Sequence, residues 1–586
     1  MQRRIRRALR STFLAVALIA VVPSAPAQDA APERASGWTD KAPVASRRFM
    51  VAAANPLAVE TGYRILKQGG SAVDAAVAVQ LVLNLVEPQS SGIGGGAFML
   101  VHDAKRNRLV AYDGRETAPA AARPDRFLDA DGKPMGFFDA VVGGRSVGVP
   151  GVVALLAEAH RRHGRLPWAA LFAPAISLSE RGFAISSRLA TLLSAEGTFV
   201  QPRARAYFLE VDGRPRAAGT ILRNPAFART LRAIAAGGAA AFYRGEIARD
   251  VVDTADSFAS NPGDLTLADL ANYRVKIREP VCGTYRTYRV CGMPLPSSGG
   301  PTMLQMLGIL EPYDLASMGP MSFWSVHFIG EAGRLAHADR NLYMADPDFV
   351  PPPAGLLDRA YLRERSRLIR TDGSLGVARA GSPPAPTEVP KAAWGAGDPI
   401  EFPSTSHISI VDRDGNAVAM TTSIEYAFGS RLMTAGGFLL NNELTDFSFV
   451  PFNGGAPVAN RVEPGKRPRS SMTPTIAYDR FGRVAIVAGS GGGPQIINFV
   501  AKTIIGIVDW GLNPQAAVAL PNFGSRNGAT DLERNSSVAA LAPKLEALGA
   551  TVNLTDANSG TQAIVRTKDG WIGGADPRRE GIAMGD

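Results

Sequence analysis

The strongest constraint on how this chain can fold lies in residues 405–423. Thr405-Ser406-His407-Ile408-Ser409-Ile410-Val411-Asp412 is a β-rich run that turns at Arg413-Asp414-Gly415-Asn416. It returns as Ala417-Val418-Ala419-Met420-Thr421-Thr422-Ser423. Two β-rich runs joined by an Asp-Gly turn form a hairpin, here with a hydroxyl residue at its leading end. Residues 373–403 ahead of it are Pro/Gly/Ala-rich and lack periodicity, so they read as a long surface segment. Such a connector suits a chain cut just before Thr405, whose two new ends must separate. Most Pro/Gly-rich linkers are only linkers, however, and residues 404–412 alone read better as an ordinary strand start.

The rest of the chain is that of a large exported globular protein. Its 586 residues exceed a usual single core, so two domains or one large layered unit are expected. Hydrophobic content of 46% with 20% charged residues excludes a disordered chain. Arg3, Arg4, Arg6, Arg7 and Arg10 precede the apolar run Phe13 to Val22 and then Ala25-Pro26-Ala27. That order is a secretory leader (residues 1–27, cut after Ala27), too short in its apolar part to span a bilayer. Without those five arginines the formal charge falls from +10 to +5, and no basic run carries interleaved aromatics, so a nucleic-acid partner is excluded. Periplasm or medium is the expected location, with no stable membrane span. There an oxidising environment permits Cys282 and Cys291 to bridge a local hairpin, while two semi-buried thiols fit equally well.

Residues 28 to about 45 read as an exposed tether. Helices are expected at Pro56 to Gln68, stopped by Gly69-Gly70, and at Ser71 to Leu85, whose nearly continuous apolar character places it in the core. Ala97 to His102 and Arg108 to Tyr112 read as paired strands. Pro150 to Met344 is mainly helical, with Val152 to His163 ending in a basic turn where His160 and His163 are expected in solvent, and a second stripe over Trp324 to Asp339. Beyond residue 405 strands dominate: Phe438 to Leu440, Thr475 to Tyr478, Val484 to Ala488, and a final hairpin of Gln562 to Val565 with Trp571 to Gly573. A helix is expected at Ile496 to Trp510. Helices outside and strands inside predict an α+β chain of α/β/β/α layers.

Several common chemistries are missing from the pattern. Six histidines, none in a ligand spacing, leave no metal site, and no cofactor is expected. Gly94-Gly95-Gly96 lacks the Lys-Ser/Thr of a phosphate loop, and Gly489-Ser490-Gly491 lacks the spacing of a nucleophile elbow. An N-terminal threonine needs neither. Once the Ser404–Thr405 bond is broken, the new α-amine sits beside the hydroxyl and can take its proton. Such an amine titrates near roughly 7.7–8.0, so a useful fraction is free base at neutral pH.

Five ordered motifs turn that possibility into an expectation. They are Asp113-Gly114-Arg115-Glu116-Thr117-Ala118-Pro119, the Thr405 hairpin, and Leu440-Asn441-Asn442-Glu443-Leu444-Thr445-Asp446-Phe447-Ser448. Lys466-Arg467-Pro468-Arg469-Ser470-Ser471-Met472-Thr473-Pro474-Thr475 and Gly489-Ser490-Gly491-Gly492-Gly493 complete the set. Together, and over nearly all of the chain from Asn55-Pro56 to Asp576-Pro577-Arg578, they resemble the γ-glutamyltranspeptidase family. The resemblance implies the Ntn-hydrolase fold, a four-layer αββα sandwich with two stacked antiparallel sheets flanked by helices. It also implies a precursor that cuts itself into a large subunit, 28–404, and a small one, 405–586.

Residue by residue, the resemblance makes Thr405 the nucleophile and gives Ser423 the place of a threonine that orients it. Gly492 and Gly493 match the pair whose backbone N–H groups form an oxyanion hole, where glycine lets the backbone approach. Arg115, Ser470 and Ser471 match the clamp on the substrate's α-carboxylate. Glu443 and Asp446 match the partners of its α-ammonium. Arg115 taken alone could be a structural ion pair, and Ser470-Ser471 a turn. Glu425 departs from the family, which usually has asparagine there; three carboxylates around one cation require that one be protonated or aimed elsewhere. The segment Phe449 to Val462 is short for the family's lid, leaving Phe449 and Phe452 as cover and favouring hydrolysis or bulky substrates.

The implied activity is transfer of γ-glutamyl groups from glutathione-like amides to water or an amine. A related acylase taking glutaryl or cephalosporin side chains is the enzymatic alternative, which the three carboxylates oppose. A periplasmic protein binding amino-acid-like ligands without catalysis is the other.

Overall fold

The computed structural model describes residues 37–196, 199–384, 394–397, 402 and 404–586. The leader and residues 385–393, 398–401 and 403 of the connector before Thr405 therefore lie outside the described residues. Two seven-stranded antiparallel sheets form the centre. One runs Ile582–Gly585, Met50–Ala53, Ser406–Val411, Ala417–Ser423, Gly96–Asp103, Arg108–Gly114, Lys276–Arg278. The other runs Val44–Ser46, Gly570–Ala575, Gln562–Thr567, Val484–Gly489, Thr475–Tyr478, Tyr288–Gly292, Val281–Tyr285.

Successive side chains of a strand point to opposite faces, and the first sheet uses both. Ile408, Ile410, Val418, Met420, Met99 and Val101 join the apolar cluster under the helices Pro56–Lys67, Ala72–Val86 and Val152–His163. Val411, Ala417, Ala419, Phe98 and Leu100 instead join the cluster shared with the second sheet, whose far face carries Gly299–Leu310, Phe323–Tyr343 and Ile496–Val508. Helix, sheet, sheet, helix is the resulting order. Ala72–Val86 is buried on every side, which its apolar composition requires, and starts at a Ser71/Asp74 capping box.

The two sheets touch near Thr405. A Cβ on Gly489 of the second sheet would lie 2.2 Å from the ring of His407 on the first. That ring is held by Thr421 at 2.9 Å and Ser409 at 3.0 Å. Burial pushes His407 down to about 3, so it stays neutral between the sheets.

Four expectations are corrected. Val44–Ser46 is not tether but the edge strand beside Gly570–Ala575. Phe438 to Leu440 forms no strand, only one bridge between Met433 and Leu439, because the Asn441–Asn442 loop that follows bonds instead to Gly94 and Ile424. His160 and His163 are not in solvent: the first bonds Leu166 O at 2.9 Å and the second Tyr112 Oη at 2.8 Å. Part of the connector is packed, since Ala378 and Phe402 are buried. Cys282 and Cys291, paired across adjacent strands, form a disulfide. Among the described residues no helix is long and apolar enough to cross a membrane.

Gly489→Ala drives a methyl into the His407 ring and is expected to cost about 1–3 kcal/mol, read as a lower denaturant midpoint at unchanged subunit composition.

Candidate active site

Thr405 precedes the central strand Ser406–Val411 and stays amide-linked to Ser404 here. Its Oγ1 donates to the Ser404 carbonyl at 2.6 Å and lies 3.4 Å from Ser423 Oγ. Ser423 Oγ donates to the same carbonyl at 3.0 Å and accepts Glu425 N–H at 2.9 Å. Two hydroxyls thus converge on the carbonyl of one peptide bond. The register that pairs Ser406 with Thr422 carries Ser423 to the level of Thr405.

One cavity of about 20 Å³ is lined by Thr405, Ser423, Glu425, Arg115, Glu443, Asp446, Ser470, Ser471 and Gly493, together with Phe402, Met472 and Ile496. Nine of the ten residues singled out from the sequence therefore meet, and the tenth, Gly492, directly precedes Gly493. The volume admits roughly one water; the Phe402 ring on its wall is tilted against Phe137 at 4.1 Å and edge-on to Tyr426 at 5.2 Å. Gly492 has φ +127° and Gly493 φ +55°, opening the turn into the helix Ile496–Val508. A Cβ on Gly492 would meet the Phe499 ring at 2.6 Å, so this backbone conformation needs glycine for space as well as for φ.

Charge is concentrated in this cavity. Arg115 is buried and pairs with Glu443 and Asp446 through its two terminal nitrogens. It also donates to the carbonyls of Pro468 at 3.1 Å and Arg469 at 3.0 Å. Burial opposes its charge, but Glu443, Asp446 and Glu116 outweigh that and push it further up. Glu116, fully buried, contacts the Glu443 carboxyl and lies 3.9 Å from Arg115; burial, then Glu443, holds it well above the carboxylate range. Glu425 accepts from Asn442 Nδ2 and from Phe402 N–H at 3.4 Å. Burial, then Asp446 and Glu443, raises it well above the usual range too. Burial raises Glu443 as well, despite its pairing with Arg115, so burial drives Glu116, Glu425 and Glu443 all toward their neutral forms, which limits mutual repulsion in the cluster. Glu425 also has φ +71°, a left-handed backbone that asparagine adopts more readily than glutamate.

Ser470 and Ser471 follow a loop tied to Pro296 and Ser298. Ser471 Oγ accepts from Arg340 at 2.8 Å. The expected cover is different: Phe449 is buried against Phe127 at 4.6 Å, Phe452 is 53% exposed, and neither lines the cavity. Phe402 does. Sequence reasoning missed Phe402, Arg340 and Glu116. Only Glu116 had a signal, lying beside Arg115 within a quoted motif.

Two antiparallel sheets between helical layers, with a threonine at the head of a central strand and a glycine turn facing it, define the Ntn-hydrolase fold. The γ-glutamyltranspeptidase family model matches residues 58–586, and the chain belongs to that family. It is 39% identical over 551 residues to a glutathione hydrolase proenzyme of Bacillus subtilis (strain 168), covering 92% of this chain and 91% of that protein. To the glutathione hydrolase proenzyme of Escherichia coli (strain K12) it is 37% identical, over 92% and 91%. A crystal structure of cephalosporin acylase from Bacillus halodurans superposes with TM-score 0.81 at 27% identity, covering 95% of this chain and 99% of that one.

Because the folded pKa of Glu425 is raised, its stabilising proton is present in both states below the ordinary carboxylate range. Above that range only the folded state must keep it, so stability falls as pH rises. Glu425→Gln, made in an uncleavable Thr405→Ala background, is expected to match its parent's Tm near pH 4 and to exceed it increasingly toward pH 8, read by a thermal-denaturation series.

Proposed function

We propose that this chain is an exported proenzyme that cuts its own Ser404–Thr405 bond and then uses Thr405 to transfer γ-glutamyl groups from glutathione-like amides. In the first step Thr405 Oγ adds to the Ser404 carbonyl, and the C–N bond breaks to leave an ester and a free Thr405 amine. Water then hydrolyses the ester, releasing a large subunit ending at Ser404 and a small subunit of residues 405–586. The hydrogen bond from Ser423 to that carbonyl supports the step, since it polarises the group that must become an oxyanion, and the Thr405 hydroxyl lies against the same carbonyl. In turnover the freed amine takes the Oγ proton, the γ-carbonyl is acylated onto Thr405, and the leaving amine receives the proton. Water or a second amine then releases the acyl group. N–H groups of Gly492 and Gly493 are suited to the oxyanion, a contribution of about 3–4 kcal/mol for such a donor.

The observation that carries the substrate class is Arg115 held between Glu443 and Asp446 in the same cavity as Thr405. An α-amino-acid head group can enter by exchange. Its carboxylate replaces acids on Arg115, with Ser470 and Ser471 beside it, and its ammonium takes up Glu443 and Asp446. Every buried charge keeps a partner. The acylase reading draws on full-length likeness to a cephalosporin acylase structure and to acylase proenzymes of Pseudomonas at 35% identity. A glutaryl group, however, would displace the acids from Arg115 and return no cation, leaving buried carboxylates unpaired. A binding protein without catalysis draws no support from this geometry.

Wild type is expected to yield the 405–586 fragment by intact mass and to release p-nitroaniline from a γ-glutamyl anilide at least tenfold faster than from the glutaryl anilide. Thr405→Ala should do neither. Equal or faster glutaryl hydrolysis would transfer the assignment to the acylase. Arg115→Lys keeps the charge but loses the fork, and is expected to raise KM for the donor by one to two orders of magnitude, about 1.4–3 kcal/mol.

A further inference from the structure

The last turn of the chain reaches back to the nucleophile. Arg579, 3% exposed, donates from Nη1 to the carbonyl of Thr405 at 2.9 Å. That carbonyl lies one residue before the first ladder pair, Ser406 with Thr422. Two glycines clear the way for the guanidinium. A Cβ on Gly491 would sit 2.1 Å from Thr405 O and 2.8 Å from Arg579 Nη1, and one on Gly560 within 3.0 Å of the guanidinium. The turn that carries Arg579 is itself pinned: Lys41 Nζ donates to the carbonyls of Asp576 and Arg579 at 2.6 Å and of Gly581 at 2.5 Å. The chain has thus built a fixed, buried cation against the backbone of Thr405.

Resting on the reading of Thr405 as an N-terminal nucleophile, we infer that Arg579 is a positioning residue that keeps the Thr405 α-amine in its free-base form at neutral pH. The nitrogen and carbonyl oxygen of one residue are about 3 Å apart, so the guanidinium lies within roughly 6 Å of the amine. A like charge at that distance disfavours the ammonium. The amine then takes the Oγ proton as the acyl–oxygen bond forms and passes it to the leaving nitrogen as the amide bond breaks. By holding the carbonyl, Arg579 also fixes the rotation that points the amine toward its own hydroxyl.

Other charges face the same place and pull both ways. From the segment after the return strand comes Glu425, and from the far wall Glu443, Asp446 and their partner Arg115. Burial pushes Glu425 toward its neutral form, and Glu443 and Asp446 are paired with Arg115. Behind Ser404, Ser90 is contacted by Arg188, which pairs with Glu87, and Glu580 accepts the Arg188 backbone N–H. His407, next on the strand face, is uncharged. Arg579 is the charge bonded to Thr405 itself.

The test compares the pH dependence of kcat/KM on γ-glutamyl p-nitroanilide for self-matured wild type, Arg579→Gln and Arg579→Lys. Competitive acylation of the small-subunit N-terminus, read by mass spectrometry, gives the amine's titration directly. The wild-type amine is expected to titrate below the ordinary roughly 7.7–8.0. Arg579→Gln should move both the acid limb and the amine titration up by about one unit, with Arg579→Lys returning most of the shift. An activity loss equal at every pH with unmoved titration, or a wild-type amine titrating at or above the ordinary range, overturns the inference. If Arg579→Gln does not mature, Arg579→Lys must; a lysine variant equally blocked overturns it. Thr405→Ala with undiminished turnover would instead overturn the nucleophile reading beneath it.

Discussion

Burial of a polar chain segment between two sheets is the constraint on which the rest of this structure depends. The strand Ser406–Val411 is flanked by Met50–Ala53 on one side and Ala417–Ser423 on the other, so it has no open edge. Its leading residue is held in place, and the Thr405 hydroxyl and carbonyl both find protein partners. Gly489 against His407, Gly491 against Thr405 and Gly492 against Phe499 are the places where only hydrogen fits. Space at these points is what brings two hydroxyls onto the Ser404 carbonyl and a guanidinium onto the next one.

The same burial dictates how charge is arranged. A cavity holding Arg115 with Glu116, Glu425, Glu443 and Asp446 cannot keep all four acids ionised without water. The structure meets this with ion pairs from Arg115 to Glu443 and Asp446, while burial raises Glu116, Glu425 and Glu443 toward their neutral forms. Phe402 lines the same cavity beside Thr405.

Much of the layer plan was legible in the sequence because its signals are local. The Thr405 hairpin, the capped and wholly apolar Ala72–Val86 helix, and the Gln562–Ala575 hairpin follow from turn residues, caps and composition alone. Val44–Ser46 was not legible, since a three-residue edge strand draws its identity from Gly570–Ala575, more than 500 residues away. His160 and His163 were misplaced for a similar reason: a basic helix end looks solvated until Leu166 and Tyr112 fold over it. Phe449 and Phe452, expected as cover, point elsewhere because Phe127 supplies a better partner for the first and nothing buries the second.

By itself the sequence determined the chemical inventory: a hydroxyl before a strand, glycines in a run, an arginine and acids in motifs far apart along the chain. Those are composition and short-range order, and they are enough to point to a family. Which acids pair with Arg115, which burial pushes toward neutrality, what lines the cavity and which arginine reaches Thr405 were decided only by tertiary structure. The reason is physical. Burial and the distance between charges set protonation and pairing, and neither exists until residues as far apart as 115, 405, 443 and 579 are brought within a few ångströms of one another.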